Sequence, residues 1–123
     1  MSEQYTEYKD LCITWPKKRS FDSYLEELSK AWEANEVICF RVPTLPKQKC
    51  EFCYVVHDGM LRGFTRIRGY GEMGDGEVKD PISGEYLPAG NYIVRIPFWH
   101  PLQHEKPMKG FQGYRYIDRP EEV

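Results

Sequence analysis

The sequence has no excess of positive charge and no long hydrophobic run. Its 17 Lys and Arg residues are outnumbered by 19 Asp and Glu residues, which gives a net charge of -2. A chain with this balance lacks the broadly basic surface of a general polyanion binder, so any nucleic-acid contact has to be local. No window approaches the roughly 18 apolar residues that a membrane-spanning helix needs. We therefore expect a protein without a membrane span.

Cysteine is also scarce, with four residues in the chain. The stretch 1–15 lacks the basic and then apolar segments of a secretory signal, which favours a cytoplasmic location and reduced thiols. The cysteines are therefore expected to be core residues or metal ligands rather than a disulfide framework. They are Cys12, Cys39, Cys50 and Cys53.

Metal ligands are few, and we expect neither a metal nor another cofactor. The alternative is a zinc site that combines the Cys50–Cys53 pair with His100 and His104, since four sulfur and nitrogen ligands suit tetrahedral zinc. Pro101 argues against it, because it breaks the helix that normally orients such a histidine pair.

Aromatic residues, Gly and Pro are by contrast plentiful. Aromatic side chains make up 15% of the chain, enough to build a core, and 10 Gly with 9 Pro favour turns between short strands. The length of 123 residues suits one domain, which we place over residues 1–123.

The periodicity predicts one helix followed by short strands. Residues 20–33 have apolar positions at helical spacing, with Ser20 as the N-cap and Asn35 as the stop. Residues 69–90 are rich in turn formers and are expected to form a long loop. We predict an α+β domain with a small curved antiparallel sheet or β-barrel and one amphipathic helix near the N-terminus. The predicted strands are 37–42, 53–57, 60–67, 91–97 and 111–117.

The strongest local signal is a hairpin turning at Asp58–Gly59, a pair that two-residue turns favour. A regular register from this turn places Tyr54 opposite Gly63, where a ring would cover the missing side chain. The face with Tyr54 and Gly63 is then expected in the core. The opposite face carries Arg62, Phe64, Arg66 and, if the strand continues, Arg68.

The order of elements resembles the PUA-like superfamily, and within it the ASCH group. The likeness rests on the helix, the hairpin strand Met60–Ile67 with its Gly63, and the closing segment Pro107–Tyr116. It implies a small barrel that binds RNA or modified nucleotides, and a few ASCH proteins are hydrolases. Where that group has Gly-x-Lys followed by an acidic residue and Arg, the segment Trp15–Ser20 has neither the Gly nor the acidic residue.

The leading functional hypothesis is a module that binds RNA, single-stranded nucleic acid or a nucleotide in a basic, aromatic cleft. Arginines pair with phosphate and aromatic rings stack on bases, so alternating Arg and Phe on one strand face favour this chemistry. The other interpretation is that the arginines pair with surface carboxylates. The candidate binding residues are Arg62, Phe64, Arg66, Arg68, Tyr70, Trp15, Lys17, Lys18, Arg19, Trp99 and His100.

Two further functions remain open. One is an ASCH-type hydrolase acting on RNA or a modified nucleoside, which would need Lys17 or Lys18 beside a carboxylate in a pocket. The other is a protein-interaction domain that uses the aromatic stretch Phe98–Tyr116.

Overall fold

The computed structural model describes residues 9–80 and 84–120. Within these ranges one helix, α1, spans Phe21–Glu33. The seven strands are β1 (Lys9–Thr14), β2 (Ile38–Val42), β3 (Phe52–His57), β4 (Met60–Met73), β5 (Gly90–Arg95), β6 (His100–Pro107) and β7 (Tyr114–Asp118). In the described ranges, no helix is both long and apolar enough to span a bilayer.

Helix α1 forms as its sequence predicts. The side chain of Ser20 accepts a hydrogen bond from the backbone N–H of Ser23 at 3.2 Å, and Asp22 lies in the first turn, where it faces the positive end of the helix dipole. Beyond the last turn, Asn35 adopts a φ of 57°, which ends the helix. Tyr24, Leu28 and Ala31 are buried against the sheet.

The strands form an open mixed sheet in the order β2-β5-β4-β3-β1-β7, with β6 also paired to β4. β1 runs parallel to β3, and the other pairings are antiparallel. The α+β class is confirmed. The barrel alternative is wrong, because within the described part of the chain no pairing joins the edge strands β2 and β7.

Strand β4 organises the sheet because it pairs with three partners. Its first half lies between β3 and β6, and its second half pairs with β5 as far as Met73. Residues 69–73 were therefore wrongly expected to form a loop. Strands β1 and β6 were not predicted either, and β6 forms despite Pro101 because its pairing with β4 positions that segment.

The hairpin turn is confirmed, but its predicted register is wrong beyond the first residues. Asp58 and Gly59 have φ values of 51° and 76°, as a type I′ turn requires. Val56 pairs with Leu61, whereas Val55 pairs with Gly63. Arg62 therefore has no residue opposite it on β3 and forms a bulge. A second bulge falls at Arg68, between Ile67 and Gly69. Regular alternation along β4 therefore breaks twice.

Clusters of packed side chains lie on both faces of the sheet. The helix-side cluster joins α1 to inward-facing strand residues such as Leu11, Cys53 and Val55. The outer cluster contains Tyr54, Leu61 and other residues packed beneath β6 and the segment that follows it. The bulges let one strand serve both clusters, since each one shifts the following side chains to the other face.

Gly63 lies where two backbones meet closely. A Cβ atom there would be 2.4 Å from the carbonyl oxygen of His100 and 2.6 Å from the Trp99 ring. Gly63 is thus covered by β6 and Trp99, and its strand partner is Val55, not Tyr54. Only glycine allows this approach between β4 and β6.

Replacing Gly63 with Ala should lower the free energy of unfolding by about 1–3 kcal/mol, because the added methyl overpacks a backbone contact. Urea unfolding followed by circular dichroism measures it. Gly71→Ala is the matched control on the same strand, since no atom lies within 4 Å of the point that its Cβ would occupy. Equal stability of the Gly63→Ala variant and the wild type would show that the approach is not tight.

Candidate functional site

A cleft of about 990 Å³ opens on the helix side of the sheet. Its walls come from the turn after β1, from α1, from β2 and from the segment before β7, and Asp80 and Glu85 also line it. Val55 and Arg95 contribute from β3 and β5. A volume of this size matches pockets that hold small organic ligands. We call it the Arg95 cleft.

Arg95 is the unusual residue of this cleft, because its charged side chain is only 4% exposed. Nη1 donates to the hydroxyl of Tyr24 at 2.9 Å and to Oγ1 of Thr65 at 3.2 Å. Nε is buried without an acceptor. Among the described residues, no carboxylate forms an ion pair with Arg95.

The neighbours of Arg95 do not supply a negative charge at neutral pH. Burial raises the pKa of the Tyr24 hydroxyl above its ordinary value. Burial also raises the pKa of the Cys53 thiol to about 11, although Arg95 acts in the opposite direction. Both groups are therefore protonated near pH 7, and within the described part of the chain the positive charge of Arg95 has hydroxyl partners but no counter-ion.

Aromatic rings surround the approach to Arg95. The ring centroid of Trp15 is 4.5 Å from that of Tyr24, whose hydroxyl holds Arg95. Phe40 lines the cleft from β2 and is half-buried. Within residues 9–80 and 84–120, Phe40 takes part in no ring–ring or cation–π contact, and its side chain packs against the helix-side cluster.

The turn that carries Trp15 and Arg19 is tied to the sheet. The backbone N–H of Trp15 donates to the carbonyl of Val56 at 2.8 Å, and Nε2 of His57 donates to the carbonyl of Arg19 at 2.9 Å. His57 is buried and stacks on Phe21, and its Nδ1 has no hydrogen-bond partner among the residues that the structure describes. This anchoring gives one wall of the cleft a fixed position before any ligand binds.

Carboxylates lie in the same cleft as Arg95. Glu27 contributes from α1, and Asp80 and Glu85 contribute from the connection between β4 and β5. Partial burial raises the pKa of Glu27, and the charge of Asp80 adds to the effect while Arg19 opposes it. The cleft is therefore lined by two arginines, the buried Arg95 and the exposed Arg19, and by these three carboxylates.

The predicted row of arginines is not a single surface. Arg62 lies 5.4 Å from the Phe21 ring and forms an ion pair with Glu105 at 3.2 Å. Arg66 instead lies over Phe52, which belongs to the outer cluster. The bulge at Arg62 causes this separation. The expectation that these side chains point in one direction is wrong, and their role in binding stays a prediction.

The remaining candidates fall in three places. Trp15 and Arg19 line the Arg95 cleft, whereas Lys17 and Lys18 are exposed and Lys17 lies 3.7 Å from Asp58. Trp99 packs on Phe21 and Tyr24 beneath the cleft wall.

Three further candidates lie away from the cleft. The ring of His100 stacks on that of Phe64 with centroids 4.8 Å apart, and burial together with Arg66 lowers the pKa of His100. The hydroxyl of Tyr70 donates to the carbonyl of Gln48 at 3.0 Å and accepts from the N–H of Cys50 at 3.1 Å. Tyr70 therefore fixes the loop before β3.

The four residues of the zinc alternative do not meet. Cys50 and Cys53 are buried in the helix-side cluster, whereas His100 stacks on Phe64 of the outer cluster. The described ranges contain no group of three or more potential metal ligands. The cysteine pair is accounted for by core packing.

Sequence reasoning missed Arg95, Phe40 and Glu27 as cleft residues. Arg95 did carry a signal, because it follows Ile93 by two positions in an apolar strand and alternation places both on the core face. A charged residue at a core position is uncommon unless it is paired or functional. Phe40 and Glu27 carried no such sequence signal, because a Phe in a strand and a Glu on a helix surface are both common.

The fold and cleft define an α+β domain with a ligand-sized cleft and a buried arginine that lacks a counter-ion among the described residues. Comparisons with protein-family models, with curated proteins and with solved structures return no match. The functional argument therefore rests on the geometry of the cleft.

The two most buried thiols should be inert in the folded protein. Burial raises the pKa of Cys53 to about 11 and that of Cys12 to about 12, so almost no thiolate exists at about pH 8. Iodoacetamide labelling followed by peptide mass spectrometry should leave both unmodified until urea is added. The extent of labelling at Cys12 and Cys53 is compared with that at Cys39, which is half-buried in the same protein. Rapid labelling of Cys53 in buffer alone would contradict this packing.

Proposed function

We propose that this protein is a binding module for a nucleotide or single-stranded nucleic acid, and that the Arg95 cleft is its site. The observation that carries the proposal is the buried guanidinium of Arg95, which has no counter-ion within the described residues. Its location in a ligand-sized cleft makes a bound anion the natural partner.

The energetics favour a ligand with an anionic group. A buried, unpaired charge costs several kcal/mol in the folded protein, and an oxyanion from the ligand offsets that cost on binding. Guanidinium and phosphate form charge-assisted hydrogen bonds that are about twice as strong as neutral ones. Arg95 thus provides affinity that a mainly acidic surface does not.

The walls favour a ligand with a planar polar ring. Phe40 lines the cleft, and stacking of a base on an aromatic ring is worth about 1–3 kcal/mol. Glu27 also lines the cleft, and its carboxylate is an acceptor for base amino groups. An anion, a stacking ring and an acceptor together match a nucleotide.

The resemblance to PUA-like proteins of the ASCH group is consistent with this proposal, since it implies RNA or nucleotide binding. We favour binding over hydrolysis because Lys17 and Lys18, the lysines on which an ASCH-type reaction would depend, are both exposed. Neither of them lines the cleft with Glu27. The ligand is therefore held rather than cleaved.

Replacing Arg95 with Met should weaken nucleotide and single-stranded RNA binding at least tenfold, because the anion loses its buried partner. Isothermal titration at low and moderate salt measures the change. Arg41→Ala is the control for loss of an arginine, since Arg41 is exposed and its guanidinium bonds to the carbonyl of Ala89.

The double variant Arg62→Ala/Arg66→Ala separates the cleft from the hairpin arginines. We expect it to bind within about threefold of the wild type, with a smaller salt dependence. Complete loss of binding in this variant, with Arg95→Met unaffected, would move the site to the hairpin. No binding of any nucleotide or RNA to the wild type would refute the proposal.

The same Arg95→Met change should alter the free energy of unfolding by less than about 2 kcal/mol, because removal of an unpaired buried charge offsets the loss of the hydrogen bonds to Tyr24 and Thr65. Urea unfolding without ligand tests this. A loss of more than about 3 kcal/mol would identify Arg95 as a structural residue and remove the argument for a ligand.

A further inference from the structure

Resting on the proposed nucleotide-binding function, we propose that Arg95 receives a terminal phosphate, so that the ligand is a mononucleotide or the phosphorylated end of a single strand. The phosphate lies against Arg95, and the remainder of the ligand leaves through the mouth of the cleft. An internal phosphodiester does not bind in this way.

The unused edge of the guanidinium fits two oxygens of one group. The hydrogen bonds that Arg95 makes to Tyr24 and Thr65 both come from Nη1. Nε has no acceptor, and no bond from Nη2 occurs among the described residues. The Nε and Nη2 hydrogens point in one direction and form the fork that pairs with two oxygens of a phosphate. Tyr24 and Thr65 hold this fork in place before the ligand arrives.

Part of the cleft lining is apolar, which disfavours a strand that continues past Arg95. Ile13, Leu28 and Val55 form this part, and each is 3% exposed or less. An internal phosphate carries a sugar on each side, so at Arg95 it would bring more polar surface against these side chains than a terminal phosphate does, at a cost in lost hydration. A terminal phosphate has only one attachment, and that attachment can point outward.

The charge of a terminal phosphate also favours it over an internal phosphodiester. A phosphate monoester carries about -1.5 to -2 charges at pH 7, whereas a diester carries one. The monoester therefore compensates the buried cation more fully. Further phosphates on the same ligand would add negative charge to a cleft that Glu27 and Asp80 also line, and carboxylates repel anions. A single terminal phosphate therefore neutralises the charge of Arg95 and adds the least repulsion with Glu27 and Asp80.

The test uses the full chain and three RNA oligonucleotides of about six nucleotides, a length within the usual site size of single-strand binders. They share one sequence and carry a 5′-phosphate, a 3′-phosphate or hydroxyls at both ends. Isothermal titration with the wild type should show at least tenfold tighter binding of one phosphorylated form than of the hydroxyl form. Adenosine and adenosine monophosphate provide the same comparison for free ligands.

Two variants test whether the tighter binding of the phosphorylated ligand depends on Arg95. In Arg95→Met the advantage of the terminal phosphate should disappear, while in Arg41→Ala it should persist at its wild-type size. Equal affinity of the wild type for all three oligonucleotides would overturn this inference while leaving nucleic-acid binding intact. Absence of binding to every oligonucleotide and nucleotide would instead refute the proposed function itself. A phosphate advantage that survives in Arg95→Met would overturn the inference by assigning that advantage to another cation.

Discussion

The buried guanidinium of Arg95 is the constraint on which the cleft depends. Through Nη1 it connects Tyr24 of α1 to Thr65 of β4, so it joins the helix to the sheet at the inner wall of the cleft. Its charge is not balanced by a carboxylate in the described residues. The fold therefore accepts an unfavourable burial at this point, and the surrounding helix-side cluster supplies the stability that permits it.

A contrasting site at the other edge of the sheet shows how the same chain compensates a buried charge. Asp10 is fully buried, and both of its carboxylate oxygens accept hydrogen bonds from Arg119 at 2.9 and 3.2 Å. Asp10 also accepts from the backbone N–H of Phe52, and Arg119 lies over the Phe52 ring. This pair fixes the segment after β7 against β1 and β3. Arg95 has no such partner among the described residues, and this contrast is the reason that we propose a ligand for Arg95.

The bulges in β4 explain why the surface differs from the regular hairpin that alternation predicts. Arg62 and Arg68 lie at the two register shifts of β4, so each changes the face of the residues that follow. This places Thr65 beside Arg95 in the helix-side layer and Phe64 in the outer cluster. The bulge at Arg62, which divides the predicted basic face, thus also puts Thr65 in position to accept the hydrogen bond from Arg95.

Local features of the fold were predictable because they depend on neighbouring residues. Helix α1, its Ser20 cap and the Asp58–Gly59 turn are all specified within a few positions of sequence. The register beyond Val55 and the strand β6 depend on contacts between distant segments, which alternation alone does not reveal. For the site, Trp15 and Arg19 were singled out and both line the cleft, but Arg95 was overlooked in an apolar strand.

The most direct test of the central claim follows the Arg95 side chain itself by NMR. A ¹⁵N spectrum of the arginine Nε–H groups, recorded with and without a mononucleotide, reports whether the buried group gains an acceptor. We expect the Arg95 signal, assigned from its absence in Arg95→Met, to shift on saturation while the Arg62 and Arg66 signals stay in place. A nucleotide that binds without moving the Arg95 signal would contradict the account.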